Sequence, residues 1–354
     1  MKVEQPKPFE ITKQMVWDAF KRVKANKGTG GIDGQSIQEF EADLKNNLYK
    51  IWNRMASGSY FPPAVKAVPI PKKNGGVRIL GIPTVSDRIA QMVVKQAIEP
   101  KIDPIFHPDS QGYRPGKSAL QAVGKVRERC WRYNWVLEFD IKGLFDNIDH
   151  TLLMKAVTHH VKEKWAILYI ERWLKAPMRT QDGSDIPREC GTPQGGVISP
   201  LLANLFLHYA FDRWMRQHYP AVPIVRYADD GVAHCRTKEK ALQLMEALKT
   251  RFQEVGLEIH PEKTRIIYCK DDDRRGGDEE TTSFDFLGYT FRPRRSKNRN
   301  GKFFINFTPG VSQKACKAMK ETTRSWKLRM RSDKTLQDLA KMYNPVVQGW
   351  INYY

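Results

Sequence analysis

The spacing of apolar residues predicts helices in several parts of the chain. In each of these segments apolar side chains recur at three- and four-residue intervals, which puts them on one face of a helix. Pro100 is expected to end the third helix, with Thr84 or Ser86 as its N-cap. The predicted helices cover residues 12–24, 36–55, 84–100, 201–214 and 238–255.

Short apolar runs between these helices predict strands. The run WVLEFDI at residues 135–141 is one such strand, and VPIVRYADDGV at residues 222–232 is a second strand that a polar turn interrupts. Further strands are predicted on both sides of a turn at Asn74-Gly75-Gly76 and around residues 284–292 and 302–307. Because strands and helices alternate in the middle third of the chain, this part is predicted to be an α/β or α+β domain.

The charge of the chain narrows the choice of partner. The 354 residues include 59 Lys and Arg against 39 Asp and Glu, a net charge of +20, together with 41% hydrophobic residues. This hydrophobic content excludes a disordered basic tail, and the positive excess favours a polyanion. We expect nucleic acid as the first candidate and an anionic membrane surface as the second. Two segments carry much of the charge: residues 292–302 have six basic residues and no acid, and residues 310–354 have nine basic and three acidic residues.

Cysteine usage and apolar run lengths favour a reduced, intracellular protein. The five cysteines stand singly with no CxxC pair, so neither a zinc module nor a disulfide framework is predicted. No run has the length of a signal-peptide core or of a membrane span. We therefore expect a soluble cytoplasmic protein with no membrane partner, and the sequence leaves the oligomeric state open.

Acidic residues in the two central strands predict a metal site. Asp229 and Asp230 are adjacent at a strand tip with apolar flanks, where two carboxylates need a cation, and Asp140 ends the neighbouring strand. Carboxylate oxygens suit Mg²⁺ or Mn²⁺, and three of them can hold two ions for displacement at phosphorus. The alternative from these residues alone is an ordinary polar turn at Asp229-Asp230 and a helix cap at Asp140.

The order of the motifs around these aspartates resembles that of reverse transcriptases, most closely those encoded by bacterial group II introns. Three blocks carry the resemblance: FDIKGLFDNIDH at residues 139–150, GTPQGGVISPLLAN at residues 191–204 and YADD at residues 227–230. Six further blocks extend it over nearly the whole chain. They lie at residues 27–34 (the N-terminal extension), 71–84 (PKKNGGVRILGIPT, the fingers hairpin), 112–118 (GYRPGKS), 256–264 (GLEIHPEKT), 286–289 (FLGY) and 344–354 (NPVVQGWINYY).

The resemblance implies an α+β right-hand polymerase whose palm sheet carries the aspartates. The N-terminal extension and fingers would cover residues 1–134 and part of 150–200, the palm residues 135–308, and a mostly helical thumb or maturase X domain residues 309–354. Whether that thumb is complete stays open. We expect no endonuclease domain, so target-site cleavage is not predicted.

For catalysis, the resemblance assigns both metal ions to Asp140 and Asp229, with Asp230 assisting and the backbone carbonyl of Ile141 as a further ligand. The implied cofactor is Mg²⁺, with Mn²⁺ as a substitute. Phe145 would lie beneath the sugar of the incoming nucleotide and exclude a 2′-hydroxyl, although a plain core phenylalanine is the alternative.

Other basic and polar residues are predicted to contact the nucleotide. Lys72 or Lys73 and Arg78 would clamp the triphosphate, unless the hairpin is simply a solvated basic one. Gln194 would contact the nucleotide or template, and Lys263 is a candidate proton donor to pyrophosphate. A longer set is assigned to the template–primer: Arg114, Gly195, Gly196, Tyr227, Leu287, Gly288, Tyr289, Arg294 and Arg295.

The implied activity is RNA-directed DNA synthesis, with an RNA template, a DNA or RNA primer and dNTPs as partners, and binding of structured RNA such as a group II intron. The alternatives are a maturase-type splicing cofactor, a two-metal nuclease, and a domesticated reverse transcriptase in defence or DNA repair.

Overall fold

The computed structural model describes residues 7–71, 75–274 and 281–354. The predicted phosphate-binding residues Lys72 and Lys73 lie outside the described residues, as does Asn74 of the predicted turn. The described part of the fingers hairpin is antiparallel, with Val77 opposite Pro71, so the predicted strand–turn–strand is confirmed on both sides of that gap.

The described residues form thirteen α-helices and eleven strands. The helices are α1 (Lys13–Ala25), α2 (Ile37–Ala42), α3 (Leu44–Ala56), α4 (Val85–Ile102), α5 (Ala119–Cys130), α6 (Leu144–Asn147), α7 (His150–His160), α8 (Lys164–Lys175), α9 (Ser199–Leu207), α10 (Arg213–His218), α11 (Lys238–Glu254), α12 (Gln313–Ser325) and α13 (Leu336–Tyr353). The strands are β1 (Val65–Pro71), β2 (Val77–Ile82), β3 (Trp135–Asp140), β4 (Met178–Arg179), β5 (Asp185–Ile186), β6 (Ile224–Tyr227), β7 (Asp230–Cys235), β8 (Arg265–Tyr268), β9 (Phe284–Phe286), β10 (Tyr289–Lys297) and β11 (Phe303–Val311).

The palm is built around an antiparallel sheet in the order β6-β7-β3-β8. Because side chains alternate along a strand, Leu137 and Phe139 of β3 enter the core with α9 and α11, whereas Val136 faces a second core with α5 and strands β9–β11. The sheet is therefore covered on both faces, and the predicted strands at residues 135–141 and 222–232 are confirmed.

The fingers combine a second sheet with N-terminal helices. This sheet has the order β2-β1-β4-β5, with β1 and β4 parallel. Helix α4 lies at the centre of the helices, since most of its residues are buried, and α1, α3 and α8 pack against it. The fold as a whole is α+β, as predicted.

The predicted helix at residues 201–214 is observed as α9 and α10, with a π-helical turn at His208–Asp212 between them, and two further predicted helices differ from the observed ones. The helix predicted at residues 36–55 is divided into α2 and α3 by Asp43, whose φ of −125° and ψ of 48° are not helical. Helix α4 continues through Pro100 to Ile102. Both Ile98 and Ile102 are fully buried, and burial of each is worth about 1.5–3 kcal/mol, which exceeds the roughly 1 kcal/mol of a lost backbone hydrogen bond.

A buried carboxylate in α4 gives the fold a predicted pH dependence. Asp87 accepts hydrogen bonds from Tyr60, Trp173 and Gln91, and burial raises its pKa from 3.8 to about 6. The unfolded chain therefore loses this proton at lower pH than the folded chain, and stability falls as the pH rises between about 4 and 6. We expect the unfolding free energy of the wild type, minus that of Asp87→Asn, to fall by about 3 kcal/mol over this interval in urea titrations. A difference that is flat with pH would contradict this.

The C-terminal helices differ from the rest of the fold in burial. Neither α12 nor α13 has a buried residue, and the aromatic rings of Trp326, Tyr343 and Trp350 stack on one another between them. No helix in the described ranges combines the length and apolar character that crossing a membrane requires.

Candidate active site

The three predicted aspartates meet at one end of the palm sheet. In the antiparallel register of β3 and β7, Asp140 lies directly opposite Asp230, and residues paired in this way project from the same face of the sheet. Asp229 precedes β7 in the hairpin turn, and its carbonyl accepts a hydrogen bond from the Ile141 backbone N–H at 3.2 Å. Two strands distant in sequence thus bring the three residues together.

The pKa values of these aspartates show that burial and mutual repulsion disfavour their charged forms. Burial, followed by the charge of neighbouring aspartates, raises the pKa of Asp229 and takes that of Asp230 to about 7. The Lys263 ammonium lies 2.7 Å from an Asp140 carboxylate oxygen. Partial burial lowers the pKa of Lys263, but its hydrogen bond to Asp140 and the carboxylate charges outweigh this, so the pKa is raised.

The donor set fits a divalent cation by its chemistry. Buried carboxylates that repel one another are stabilised by a hard cation. The pKa values of Asp229 and Asp230 are raised first by burial and then by the neighbouring carboxylates, so both residues would be stabilised by such a cation. Across residues 7–71, 75–274 and 281–354, no group of three or more His, Cys, Asp or Glu side chains is arranged so that it could hold a metal ion. Because Lys263 holds Asp140, an ion bound there would have to compete with that ion pair.

A fourth acidic residue, on the same face of the palm sheet, was not predicted from the sequence as part of this site. Glu138 lies two residues before Asp140 and projects from the same side of β3, but its carboxylate is 2.8 Å from the Arg265 guanidinium. The ion pair already compensates this charge, so Glu138 is not assigned as a metal ligand.

The turn that carries Asp229 is anchored by a buried arginine. Arg226 is fully buried and forms a bidentate ion pair with Asp212, at 3.0 and 2.7 Å. It also donates to the carbonyl of Ala228 at 3.0 Å, and Ala228 has the left-handed φ of +56°. Arg226 therefore holds the strained turn in the conformation that presents Asp229.

Arg78 and Gln194, both predicted to bind the nucleotide, lie in contact. The Arg78 guanidinium donates to the Gln194 side-chain oxygen, and the Gln194 amide donates to both carboxylate oxygens of Asp146, at 3.1 and 2.9 Å. These hydrogen bonds connect the fingers hairpin to helix α6, which follows β3. Asp146 was not singled out by sequence reasoning, although it lies beside Phe145.

Three aromatic rings cluster near the aspartates. The ring of Tyr113 lies 6.4 Å from that of Phe145 and 6.5 Å from that of Tyr227, measured between centroids. Phe145 is largely buried, whereas Tyr113 is half exposed and has a left-handed φ of +58°. Tyr113 was not predicted as a site residue from the sequence. The signal available there was its position in the motif, between Gly112 and Arg114-Pro115-Gly116.

The predicted glycines contact the protein's own backbone. A Cβ on Gly195, whose φ is +126°, would lie 2.6 Å from the carbonyl oxygen of Gly81, so glycine is required there by packing against β2. At Gly196, a Cβ would lie 2.4 Å from the Ser199 hydroxyl. Their contact with a template–primer stays a prediction.

The prediction that Arg114 binds the template–primer is wrong. Its side chain is only 6% exposed and pairs with Asp103 at 2.7 Å. It also donates to the backbone carbonyls of His107 and Ser110. All of these bonds stabilise the loop between α4 and α5, and the guanidinium has no free face for a phosphate.

Arg294 and Arg295 cannot both contact one duplex through the same surface. They are neighbours in β10 and therefore project from opposite faces. Arg294 donates to the carbonyls of Thr290 and Thr308, and the Arg295 guanidinium lies 3.9 Å from the centre of the Phe303 ring. Contact of either arginine with a template–primer stays a prediction.

Leu287, Gly288 and Tyr289, which are predicted to bind the template–primer, lie at the turn between β9 and β10. Leu287 and Gly288 have left-handed φ values of +49° and +82°, and Tyr289 pairs back with Phe286. The turn lies at the second palm core, on the sheet face from which Asp140 and Asp230 project, and its contact with a primer stays a prediction.

This fold and site define a reverse transcriptase. Residues 70–291 match the family described as reverse transcriptase (RNA-dependent DNA polymerase), and residues 316–354 match the group II intron maturase-specific domain. The first match covers more than half of the chain, so the protein belongs to the reverse transcriptase family. The second domain makes it a reverse transcriptase/maturase of the group II intron type, as the motif order predicts.

Two relatives illustrate how far the similarity extends. The chain is 30% identical to Protein YkfC of Escherichia coli over 343 residues, which cover 86% of each protein. It is 29% identical to the group II intron-encoded protein LtrA of Lactococcus lactis over 351 residues, covering 80% of this chain and 56% of LtrA. The chain therefore spans little more than half the length of LtrA.

Solved structures with the same fold include a telomerase. The telomerase of Candida albicans, solved with a fragment of telomeric RNA, superposes with a TM-score of 0.51 at 13% identity, covering 72% of this chain and 48% of that one. At this identity the likeness establishes the fold alone.

Proposed function

We propose that this protein is an RNA-directed DNA polymerase that extends a primer 3′-hydroxyl with dNTPs on an RNA template. The observation that carries the proposal is the meeting of Asp140, Asp229 and Asp230 at one end of the palm sheet. The contact between Arg78 and Gln194 at the cleft supports it, because these two residues can bind a triphosphate and its template base. RNA binding alone would require none of the three carboxylates.

Asp140, Asp229 and Asp230, with the carbonyl of Ile141, would hold Mg²⁺ or Mn²⁺. When bound, the metal lowers the pKa of the primer hydroxyl and neutralises the triphosphate. The Lys263 ammonium, beside Asp140, keeps its proton because the pKa is raised, and it can deliver that proton to the pyrophosphate leaving group. Arg78 would orient the phosphates through charge-assisted hydrogen bonds.

Selection of the sugar is assigned to Phe145. Its ring lies at the cleft beside Tyr113, where a 2′-hydroxyl on the incoming nucleotide would clash. We expect Phe145→Val to lower the ratio of kcat/KM for dNTP over NTP by about 10- to 100-fold, while kcat/KM for the dNTP itself changes by less than about fivefold. An unchanged ratio in single-nucleotide incorporation would remove this role.

Primer extension tests the proposed activity. A labelled DNA primer annealed to RNA should be extended to the end of the template with dNTPs and Mg²⁺, and a chelator should stop extension. The failure of wild-type protein to extend a primer that it demonstrably binds would contradict the proposal.

A second candidate function, assistance of intron splicing, is favoured by the maturase-specific match at residues 316–354. Residues 310–354 carry a net positive charge, which suits contact with RNA phosphates. Splicing of a group II intron RNA at low Mg²⁺, with and without the protein, measures this function. It should persist in a variant that lacks Asp229, because RNA binding does not use that carboxylate.

A further inference from the structure

The end of helix α13 is bonded to the turn between β9 and β10. The Tyr353 hydroxyl donates to the carbonyl of Leu287 at 2.7 Å. In return, the Tyr289 hydroxyl donates to the backbone carbonyl of Tyr353. Two hydrogen bonds in opposite directions thus join the palm to the last turn of the maturase segment, the part of the chain that matches the maturase-specific domain (residues 316–354).

The turn itself is shaped for this contact. Its two central residues have left-handed φ angles, and a Cβ on Gly288 would lie 2.7 Å from the Tyr354 hydroxyl, so only glycine leaves room for that ring. The carbonyl of Gly288 also accepts a hydrogen bond from the Ser312 backbone N–H at 3.0 Å. The start of α12, at Ser312, and the end of α13, at Tyr353, therefore both contact this one turn.

The contact lies on the catalytic face of the palm. Tyr353, Leu287 and Tyr227 all pack against the second palm core, and Tyr227 pairs with Asp230 across the β6–β7 hairpin. A tyrosine on α13 is thus adjacent both to the turn before β10 and to the hairpin that carries the aspartates.

The end of α13 is held by contacts at the protein surface, which include the ring of Tyr289 against those of Tyr353 and Tyr354. No residue of α12 or α13 is buried, so the helix has no deep anchor in the protein. Burial and the neighbouring Tyr354 raise the pKa of Tyr353 to about 12, which keeps its hydroxyl protonated as a donor at any physiological pH. The hydrogen bond to Leu287 is therefore available throughout the working range of the protein.

We propose that Tyr353 is a positioning residue for the primer terminus. By holding the Leu287-Gly288 turn beside Tyr227, the end of α13 sets the position of a primer 3′-hydroxyl relative to the aspartates. This inference rests on the proposed polymerase function. It assigns to the maturase segment a part in nucleotide addition, in addition to any binding of RNA.

The test compares Tyr353→Phe with Tyr343→Phe in the full chain. Both substitutions remove one hydroxyl from α13, but the Tyr343 hydroxyl faces Trp326 within the helical segment, at 3.4 Å from its carbonyl. Tyr353→Phe should lower the single-turnover rate of adding one dNTP about tenfold, the value of one hydrogen bond, with the Kd for template–primer changed less than twofold. Tyr343→Phe should keep the wild-type rate.

The preference for matched over mismatched primer ends is a second measurement, and a general loss of stability would not change it. Tyr353→Phe should extend matched primer ends less well relative to mismatched ends than wild type does, and Tyr289→Phe, which removes the returning bond, should do the same. Equal rates for Tyr353→Phe and Tyr343→Phe would overturn the inference, as would a weaker Kd with an unchanged rate at saturation. If wild type adds no nucleotide, the proposed function fails first, so the two failures are distinguishable.

Discussion

Replacement of Asp229 by Asn is expected to lower the single-turnover rate of primer extension by at least about a thousandfold. The substitution keeps the size and backbone of the residue, and the Asp229 carbonyl can still accept from Ile141. Only the carboxylate charge next to Asp140 is lost. Affinity for template–primer should change less than threefold, because the basic surfaces that bind phosphates are untouched.

The matched control is Asp18→Asn on the exposed face of α1, where Asp18 pairs with Lys21 and Gln14 of the same helix. This variant should extend primers at the wild-type rate. The Asn variant at position 229 should unfold at no lower urea concentration than wild type, since a buried and repelled carboxylate costs free energy. Retention of a tenth or more of the wild-type rate would show that Asp229 is not catalytic.

The largest loss of stability is expected from Arg226→Met. The variant leaves the Asp212 carboxylate buried with no counter-charge and frees the carbonyl of Ala228, and breaking a buried pair in this way costs about 3–5 kcal/mol. Because the Ala228 turn presents Asp229, the variant should also synthesise slowly at temperatures where it remains folded. Urea unfolding and primer extension measure the two effects.

Arg179→Met is the control for this prediction. Its bidentate pair with Asp185 has similar geometry, at 2.6 and 2.7 Å, but both side chains are 41% exposed, so its loss should cost less than about 1 kcal/mol. The double variant Arg226→Met/Asp212→Leu should regain part of the lost stability, since it buries no unpaired charge. A cost below 1 kcal/mol for Arg226→Met alone would contradict the account of this anchor.

The palm strands could be predicted from the sequence because short apolar runs bounded by turn residues are compatible with few structures other than strands. The hairpin of β10 and β11 was harder to delimit. Strands were predicted around residues 284–292 and 302–307, whereas β10 extends to Lys297 and β11 runs from Phe303 to Val311. Its basic side chains occupy strand positions, and the sequence alone does not reveal which charged residues still pair through their backbones.

The aspartates of the site could be predicted because their motifs stand in a fixed order along the chain. Residues that act through distant partners could not. Arg226 resembles an ordinary strand residue until Asp212 is brought against it, and Tyr113 gains its place only when its loop meets Phe145. Arg114 was misassigned because a basic residue in a family motif suggests a phosphate contact, whereas Asp103 compensates its charge internally.

The most direct test of the central claim is addition of a single templated nucleotide. Four RNA templates that differ only in the base opposite the incoming nucleotide are each offered the four dNTPs separately, with Mg²⁺ and saturating protein. The account predicts that wild type adds only the complementary dNTP on each template and that Asp229→Asn adds none on the same time scale. No addition by bound wild type, or addition that ignores the template base, would contradict it.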